Sequence, residues 1–266
     1  MIRLQDVVSF LREFAPPELA EDWDNVGLLI GDPADEVRSV LTCLTLTPNV
    51  ADEAIARGAQ LVITHHPVLF RPVQRLTAET SEGRMLLSLI RAGISVYSPH
   101  TSYDSAANGI NAQLAQLFEL RDVQPLRSNA ALATETHLTG SGRFGTLPSI
   151  TSLRELIDRI KPALRVSTLQ FVGDLDRPIT KLGIACGAAA EFLRDAVQFG
   201  CEALLTGEAR FHSCLEAEAA NIALILPGHF ATERPAMEQL ANVLRSRFAG
   251  LVVQASQSEY DPVKFF

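Results

Sequence analysis

Short apolar runs alternate along the chain with segments whose apolar positions recur every three to four residues. "RSVLTCLTL" (38–46) reads as a buried strand, and "PNVADEAIARG" (48–58) as a helix closed by a glycine. The rhythm repeats: strand "QLVIT" (60–64), helix "SEGRMLLSLIRAG" (81–93), strand "ISVYS" (94–98). "DSAANGINAQLAQLF" (104–118) follows as one helix with Asp104 or Ser105 as its cap. From about 120 to 150 the pattern weakens into a stretch rich in Gly, Ser and Thr, and a domain boundary is placed near its start. Order then returns with helix 152–164, strands 167–173 and 181–186, helix 190–200 and strand 202–207. Helix 211–220, strand 222–226 and helix 233–248 complete the pattern. Repeated βα units of this kind predict an α/β fold, three-layered, with mostly parallel sheets. The similar element order of the two halves hints weakly at an internal duplication.

Composition narrows the function classes. The 266 residues are 47% hydrophobic and 20% charged, with a formal net charge of -8. That acidity argues against broad electrostatic binding to nucleic acid or to anionic membrane. No apolar run approaches the roughly 18 residues of a membrane-spanning helix. "MIRLQDVVSFLREF" (1–14) lacks the layout of a signal peptide, and its Asp6, Arg12 and Glu13 suit a surface helix. Cys43, Cys186, Cys201 and Cys214 form no CxxC pair. They read as small buried hydrophobes in a reducing compartment, so a cytoplasmic location is expected.

The histidines carry the chemistry. Five of the six lie just past predicted strand ends or on the helices that follow: His65, His66, His100, His212 and His229. In open α/β sheets the carboxyl ends of the strands converge on one edge, where ligands bind. His100 with Asp104, Glu208 with His212, and His229 with Glu233 are each four residues apart, which is one helical face if the segment is helical. Imidazole with carboxylate suits Zn, Mn, Fe or Ni rather than Ca. Any one such histidine is more often a hydrogen-bonded surface residue, but the joint pattern points to a metal site. The adjacent His65 and His66 would point to opposite faces of a regular strand. At a strand end restricted by Pro67, each can reach toward a different ion, and two ions about 4 Å apart can together activate water and polarise a substrate oxygen. His137, in the irregular region, reads as structural.

"AEDWDNVGLLIGD" (20–32) holds the only tryptophan, Trp23, between Asp22 and Asp24. The two acids read either as ligands or supports of ligands, or as part of a turn. In the turn, Trp23 packs beneath and Asp24 or Asn25 caps backbone amides. No GxGxxG, GxxxxGK[ST], GxSxG or Cys/His nucleophile arrangement occurs.

"EDWDNVGLLIG", "ITHHP", "HTSYD", "GRFG", "LLTGEARFH" and "GHFATER" stand in that order between residues 21 and 234. Together they resemble the NIF-three-like family, also called GTP cyclohydrolase 1 type 2 homologues or dinuclear-metal-centre hexameric proteins. The resemblance implies a two-domain α/β subunit, with residues 1–125 and 230–266 in a first domain that carries most metal ligands and 126–229 in a second. It implies a homohexameric ring with its metal sites facing an internal cavity. It also implies two divalent ions (Zn, Fe or Mn) per subunit held by His65, His66, Asp104, His229 and Glu233, with Glu233 bridging. His100, Glu208 and His212 lie in family motifs near the metals, in supporting or proton-transfer roles. Thr45 stands where an acid is common, and Ser102 and Tyr103 where Asn and Leu are frequent. Ala188 and Ala190 replace glycines, which weighs against a ligand-phosphate contact at that loop.

The resemblance implies a metal-dependent hydrolase acting on a nucleotide or related small molecule, with opening of the purine ring of GTP as the family's named reaction. The same ligands would serve a two-metal phosphoesterase. A non-enzymatic, metal-binding regulatory ring is the alternative from another class.

Overall fold

The computed structural model describes residues 1–129 and 139–264, so His137 lies outside the described residues. Contacts divide the chain into two units: unit 1 comprises Met1–Tyr103 with Ala236–Pro262, and unit 2 comprises Asp104–Pro235 with Val263–Phe266. Residues 104–125 and 230–235, assigned above to the first domain, thus fall in unit 2.

In chain order, unit 1 opens with helix α1 (Leu4–Phe14), strands β1 (Gly27–Ile30) and β2 (Ser39–Thr45), and helix α2 (Pro48–Ala56). Strand β3 (Leu61–His66), helix α3 (Ser81–Arg91), strand β4 (Ser95–Ser98) and the short helix α4 (His100–Ser105) follow, the last two residues of α4 belonging to unit 2. Unit 2 contains helix α5 (Ile110–Leu117), strand β5 (Arg121–Gln124) and a two-residue ladder of β6 (Arg127–Ser128) with β7 (Gly140–Ser141). It continues with β8 (Arg143–Ser152), α6 (Leu153–Ala163), β9 (Gln170–Val172), β10 (Pro178–Ala185) and α7 (Leu193–Gln198). Strand β11 (Ala203–Thr206), helix α8 (Phe211–Ala219) and strand β12 (Ala223–Leu226) complete it. The chain then enters α9 (His229–Arg247) and ends with β13 (Val252–Ala255). No described helix is long and apolar enough to cross a membrane.

The sheet of unit 1 has the order β1-β4-β3-β2-β13. Strands β13, β2, β3 and β4 run parallel, and β1 adds antiparallel at the edge. Parallel strands are covered on both faces by their connecting helices, so their sequences are continuously apolar. Along β2 the alternation is explicit. Leu41 and Cys43 join Val50, Ala51 and Ala54 of α2 and Met85, Leu86 and Leu89 of α3 in one core cluster. Thr42 points the other way, and its buried hydroxyl donates to the Met237 carbonyl of α9 at 2.8 Å.

The sheet of unit 2 has the order β5-β8-β10-β11-β12-β9. Its centre, β10-β11-β12, is parallel, while β8, β5 and β9 pair antiparallel. Leu204 and Leu224 pack with Phe192, Leu193, Ala196 and Ala217 on one face. Helices α5 and α6 pack against β8 from the same unit. The mixed α/β class is as the periodicity predicts.

Four local expectations are corrected. The weak stretch after residue 120 contains β5 and the ten-residue β8. Its polarity, and Pro148 within it, hide β8. The proline falls where the β8–β10 register slips between Ile179 and Lys181, so no regular ladder bond is asked of it. The segment read as one helix over 104–118 is two, α4 and α5, with Gly109 as the N-cap of the second and Asp104 inside the first. Strand β3 does not stop before the histidines but includes both. Finally, β1 lies in the stretch 20–32, where no strand was expected.

Arg143, from the "GRFG" motif, is 2% exposed. Its guanidinium donates to the carbonyls of Gly140 and Gly142 at 2.6 Å each, Ala106 at 2.9 Å and Ser105 at 3.3 Å. Burial pulls its pKa down to about 10, so it remains protonated at neutral pH. The planar fork ties the β7–β8 turn to the end of α4, a geometry an ammonium does not reproduce. Arg143→Met should strand these buried carbonyls and lower stability by about 3 kcal/mol. Urea unfolding should show the midpoint falling, and Arg143→Lys should recover only part of the loss.

Candidate metal centre

In unit 1 the carboxyl ends of β2, β3 and β4 lie along one sheet edge, because these strands are parallel. Thr45 closes β2 and is the register partner of His66, the last residue of β3. The Thr45 hydroxyl meets His66 Nδ1 at 2.7 Å, so threonine fills the position where the family resemblance expects an acid. His65 is fully buried and its carbonyl accepts a hydrogen bond from Ser98 Oγ at 2.6 Å. Although the two histidines end a strand, their rings do not diverge: the ring centroids are 5.2 Å apart.

His100 begins α4, two residues beyond the end of β4, with φ of 29°. Left-handed backbone is costly for a residue with a Cβ and persists where surrounding contacts over-determine it. Those contacts come from Asp24, whose side chain is fully buried. One Asp24 oxygen meets His100 Nδ1 at 2.7 Å and accepts from the Asn25 amide at 2.8 Å. The other accepts from the Thr101 amide at 3.1 Å and from the Thr101 hydroxyl. Burial acts to raise the Asp24 pKa, but the hydrogen bonds from His100 and Thr101 outweigh it and hold the carboxyl below its ordinary value. With Nδ1 occupied, His100 turns its ring toward the other two histidines, 5.2 Å from His65 and 5.7 Å from His66. The three residues each offer a ring nitrogen within 4.8 Å of the others. Three imidazoles so gathered fit a divalent transition metal, leaving further positions for water or other donors.

The turn reading of "AEDWDN" is correct for Asp24, which caps amides and also fixes His100. It fails for Trp23, which is 60% exposed, its ring 5.9 Å from Phe70 and 6.1 Å from His100. Asp22 is exposed. A cavity of about 710 Å³ opens beside His66, lined also by Thr45, Val68, Phe70, Arg71 and Met85.

Unit 2 places its candidate side chains at the ends of β10, β11 and β12. The turns after these strands are tied together: Glu208 N–H donates to the Gly187 carbonyl at 3.1 Å, and Gly228 N–H to the Gly207 carbonyl at 2.9 Å. His229 opens α9, and its Nε2 meets Glu233, one turn on, at 2.9 Å. Its Nδ1 meets Glu208 at 3.0 Å. Gly187, with φ of 69°, passes against Glu233 so closely that a Cβ there would collide with the carboxylate. The Ala188 and Ala190 changes drew notice in the sequence; the residue the site needs as glycine is Gly187, and it is present.

Cys186 precedes it, buried, and its thiol donates to Asp104 at 3.2 Å. Burial first, and then the charges of Asp104 and Glu233, push this thiol well above its ordinary pKa, so it stays protonated. The cysteine was expected to be a plain buried hydrophobe. Its contact with a candidate ligand was invisible in the sequence because no motif spacing links the two.

Glu208 and His212 do not form the helical pair expected from their spacing. Helix α8 starts only at Phe211, so Glu208 lies in the preceding turn. His212 is exposed with its ring against Phe211, and no hydrogen bond joins it to Glu208 among the described residues. Glu208 instead orients His229. It also lines a cavity of about 970 Å³ that includes Arg127, Arg194 and Arg210.

His229 is held charged in the metal-free protein. The hydrogen bond to Glu233 raises its pKa most; burial opposes this, and the charges of Glu233 and Glu208 carry it to about 9. The folded-state value lies above the ordinary 6.5. The protonated imidazole therefore stabilises the metal-free fold fully below pH 6.5, and that contribution is lost as the pH rises through about 9. In chelator-treated protein, the His229 ring protons should titrate near pH 9 by NMR, and thermal stability should decline across the same window. Glu233→Gln should bring both transitions down toward the ordinary histidine range.

Comparison with known proteins identifies the lineage. Over 99% of both chains, the sequence is 33% identical to the "GTP cyclohydrolase 1 type 2 homolog" of Clostridium acetobutylicum. It is 34% identical to the "Protein NIF3 homolog" of Schizosaccharomyces pombe over 93% of this chain and 92% of that one. The fold matches the crystal structure of Staphylococcus aureus protein SA1388 with a TM-score of 0.90 and 26% identity, covering 100% of this chain and 99% of that one. The family model Duf34/NIF3 (NGG1p interacting factor 3) matches residues 2–262. With its fold, its sequence and its histidine motifs in agreement, the chain belongs to the Duf34/NIF3 family.

Proposed function

We propose that this protein is a metal-dependent hydrolase acting on a nucleotide or a related small phosphorylated molecule. The observation that supports this most is the convergence of His65, His66 and His100 within 4.8 Å at the carboxyl edge of a parallel sheet. In this reading two divalent ions are held by His65, His66, Asp104, His229 and Glu233. When bound, such ions lower the pKa of water and polarise the bond to be cleaved.

The chain's own residues have distinct tasks. Thr45 sets the ring orientation of His66 through Nδ1. Glu208 does the same for His229. Its position at the rim of a cavity with Arg127, Arg194 and Arg210 also suits a proton acceptor close to an anionic substrate. Arginine forks match phosphate oxygens bidentately, but Arg127 is already paired with Asp195 at 2.8 Å and Glu191 and Glu216 share the lining, so Arg194 and Arg210 are the side chains placed to meet a phosphate. Cys186 keeps Asp104 in place by a neutral thiol hydrogen bond. His212, exposed and apart from Glu208, is dropped from the proton-transfer role.

The relatives' name suggests GTP as the first substrate to try, and a homohexamer belongs to the same reading. Purified protein loaded in turn with Zn, Mn or Fe should contain close to two ions per chain by elemental analysis and consume GTP or a phosphomonoester. His65→Ala and Glu233→Ala should each cut turnover by at least about a hundredfold, as expected for loss of a group that acts in concert with others. Turnover that survives both substitutions would sink the mechanism. Full metal loading with no turnover and no nucleotide binding by calorimetry would favour a non-enzymatic metal-binding ring. Light scattering tests the hexamer.

A further inference from the structure

We propose that Trp23 and Phe70 form a base-binding corner, in which the planar heteroaromatic ring of a nucleoside stacks on exposed aromatic faces beside the cavity that Phe70 lines. This rests on the hydrolase reading above for where the reacting bond lies. It adds the part of the substrate that is recognised and the two residues that recognise it.

Three observations carry it, all within unit 1. First, both rings are open to solvent. Trp23 is 60% and Phe70 47% exposed, and the two meet edge-on, with centroids 5.9 Å apart and planes at 66°. Edge-on rings with that exposure leave aromatic faces uncovered, and such a face is what a base stacks on. A tryptophan that only packs is mostly buried. Second, the side chains are open but the backbone beneath them is fixed. Asp24, next to Trp23, is clamped by His100 and Thr101. Asn25 Nδ2 donates to the Leu69 carbonyl at 2.6 Å, which ties the Trp23 turn to the loop that carries Phe70. Val68 and Leu69 in turn pack against the core. A corner so held loses little freedom when a ring settles on it. Third, the cavity of about 710 Å³ is of a size that takes a small molecule. Phe70, Val68 and Met85 supply apolar wall, and Arg71, exposed and without an ion-pair partner among the described residues, supplies a cation for a nucleotide's phosphates. His66 lines the same cavity, so a base at the corner leaves the polar part of its nucleotide beside the candidate centre.

The sole tryptophan reports on its own ligand. The test titrates the Zn-loaded full chain with guanosine, ribose, GTP and ribose 5-phosphate, following Trp23 fluorescence and measuring affinity by calorimetry. Guanosine and GTP should quench Trp23, and guanosine should bind at least about tenfold more tightly than ribose. Phe70→Ala and Trp23→Ala should each weaken guanosine and GTP about 10- to 100-fold, the loss of one stacking contact. Both should keep the native zinc content and the native affinity for ribose 5-phosphate. Trp23→Phe, which retains a ring, should recover most of the loss. Where GTP is turned over, Phe70→Ala should raise KM far more than it lowers kcat, because stacking away from the reacting bond is shared by ground and transition states.

If an alanine variant fails to fold, Phe70→Leu decides, since it keeps apolar bulk without the ring: lost guanosine affinity supports stacking, and native affinity overturns it. Guanosine that binds no more tightly than ribose, or that keeps its native affinity in both alanine variants, also overturns the proposal. Cleavage of a base-free phosphomonoester by the same chain would then leave the hydrolase reading standing. Quenching by guanosine that Phe70→Ala abolishes, with no turnover of any nucleotide, supports the base-binding corner and overturns the hydrolase reading instead.

Discussion

The centre depends on parallel strand pairing. Strands β2, β3 and β4 run side by side in the same direction, so their carboxyl ends reach one edge of the sheet together. The ladder that pairs Val40 with Leu61 and Leu61 with Ser95 also fixes how far each strand extends. It therefore sets Thr45 opposite His66, and it delivers His100 to the same edge two residues after β4 ends. Because side chains alternate along a strand, a one-residue slip would exchange the buried His65 with the half-buried His66. It would also break the bond between Thr45 and His66. The burial of Leu61, Val62 and Ile63 makes such a slip expensive, since it would turn one apolar set out of its own core.

The polar groups at these ends are arranged by charge and hydrogen bonding. Buried carboxylates need partners, and Asp24 finds them in an imidazole, a hydroxyl and two amides. The same bonds cap the start of α4 and pin its first residue in a conformation it would otherwise avoid. Unit 2 uses a different device for a similar end. Three strand-end turns are joined by backbone hydrogen bonds, and a glycine at 187 makes room for the Glu233 carboxylate beside His229. In each unit a carboxylate fixes the histidine through Nδ1, Asp24 for His100 and Glu208 for His229, while Nε2 of His229 also meets Glu233.

Much of this was legible without coordinates. Strands β2, β3, β4, β10, β11 and β12 are apolar runs too short for helices, and their helices end in glycine or carry clear caps. The Ser152 capping box of α6 is one of these, with Glu155 returning to the Ser152 amide at 2.8 Å. The histidines stood out because they cluster where such strands end. What escaped notice had weak local signals. Strand β8 is polar and contains a proline, and it is a strand because β5 and β10 pair with it on either side. Glu208 was matched with His212 by spacing, whereas its partner is His229, 21 residues on. Spacing speaks only for residues on one helix, and Glu208 is not on one.

The amino-acid sequence by itself determined the class of fold, the strand ends that carry the chemistry and the identity of the donors, since hydrophobic periodicity and residue type are local properties. Only the tertiary structure decided which donors meet. It turned His65 and His66, neighbours on a strand, toward each other and brought Asp24 to His100 across 76 residues of chain. It also placed the thiol of Cys186 on Asp104. Those meetings follow from sheet register and from the need of buried polar groups for partners, and both are settled only when distant segments pack.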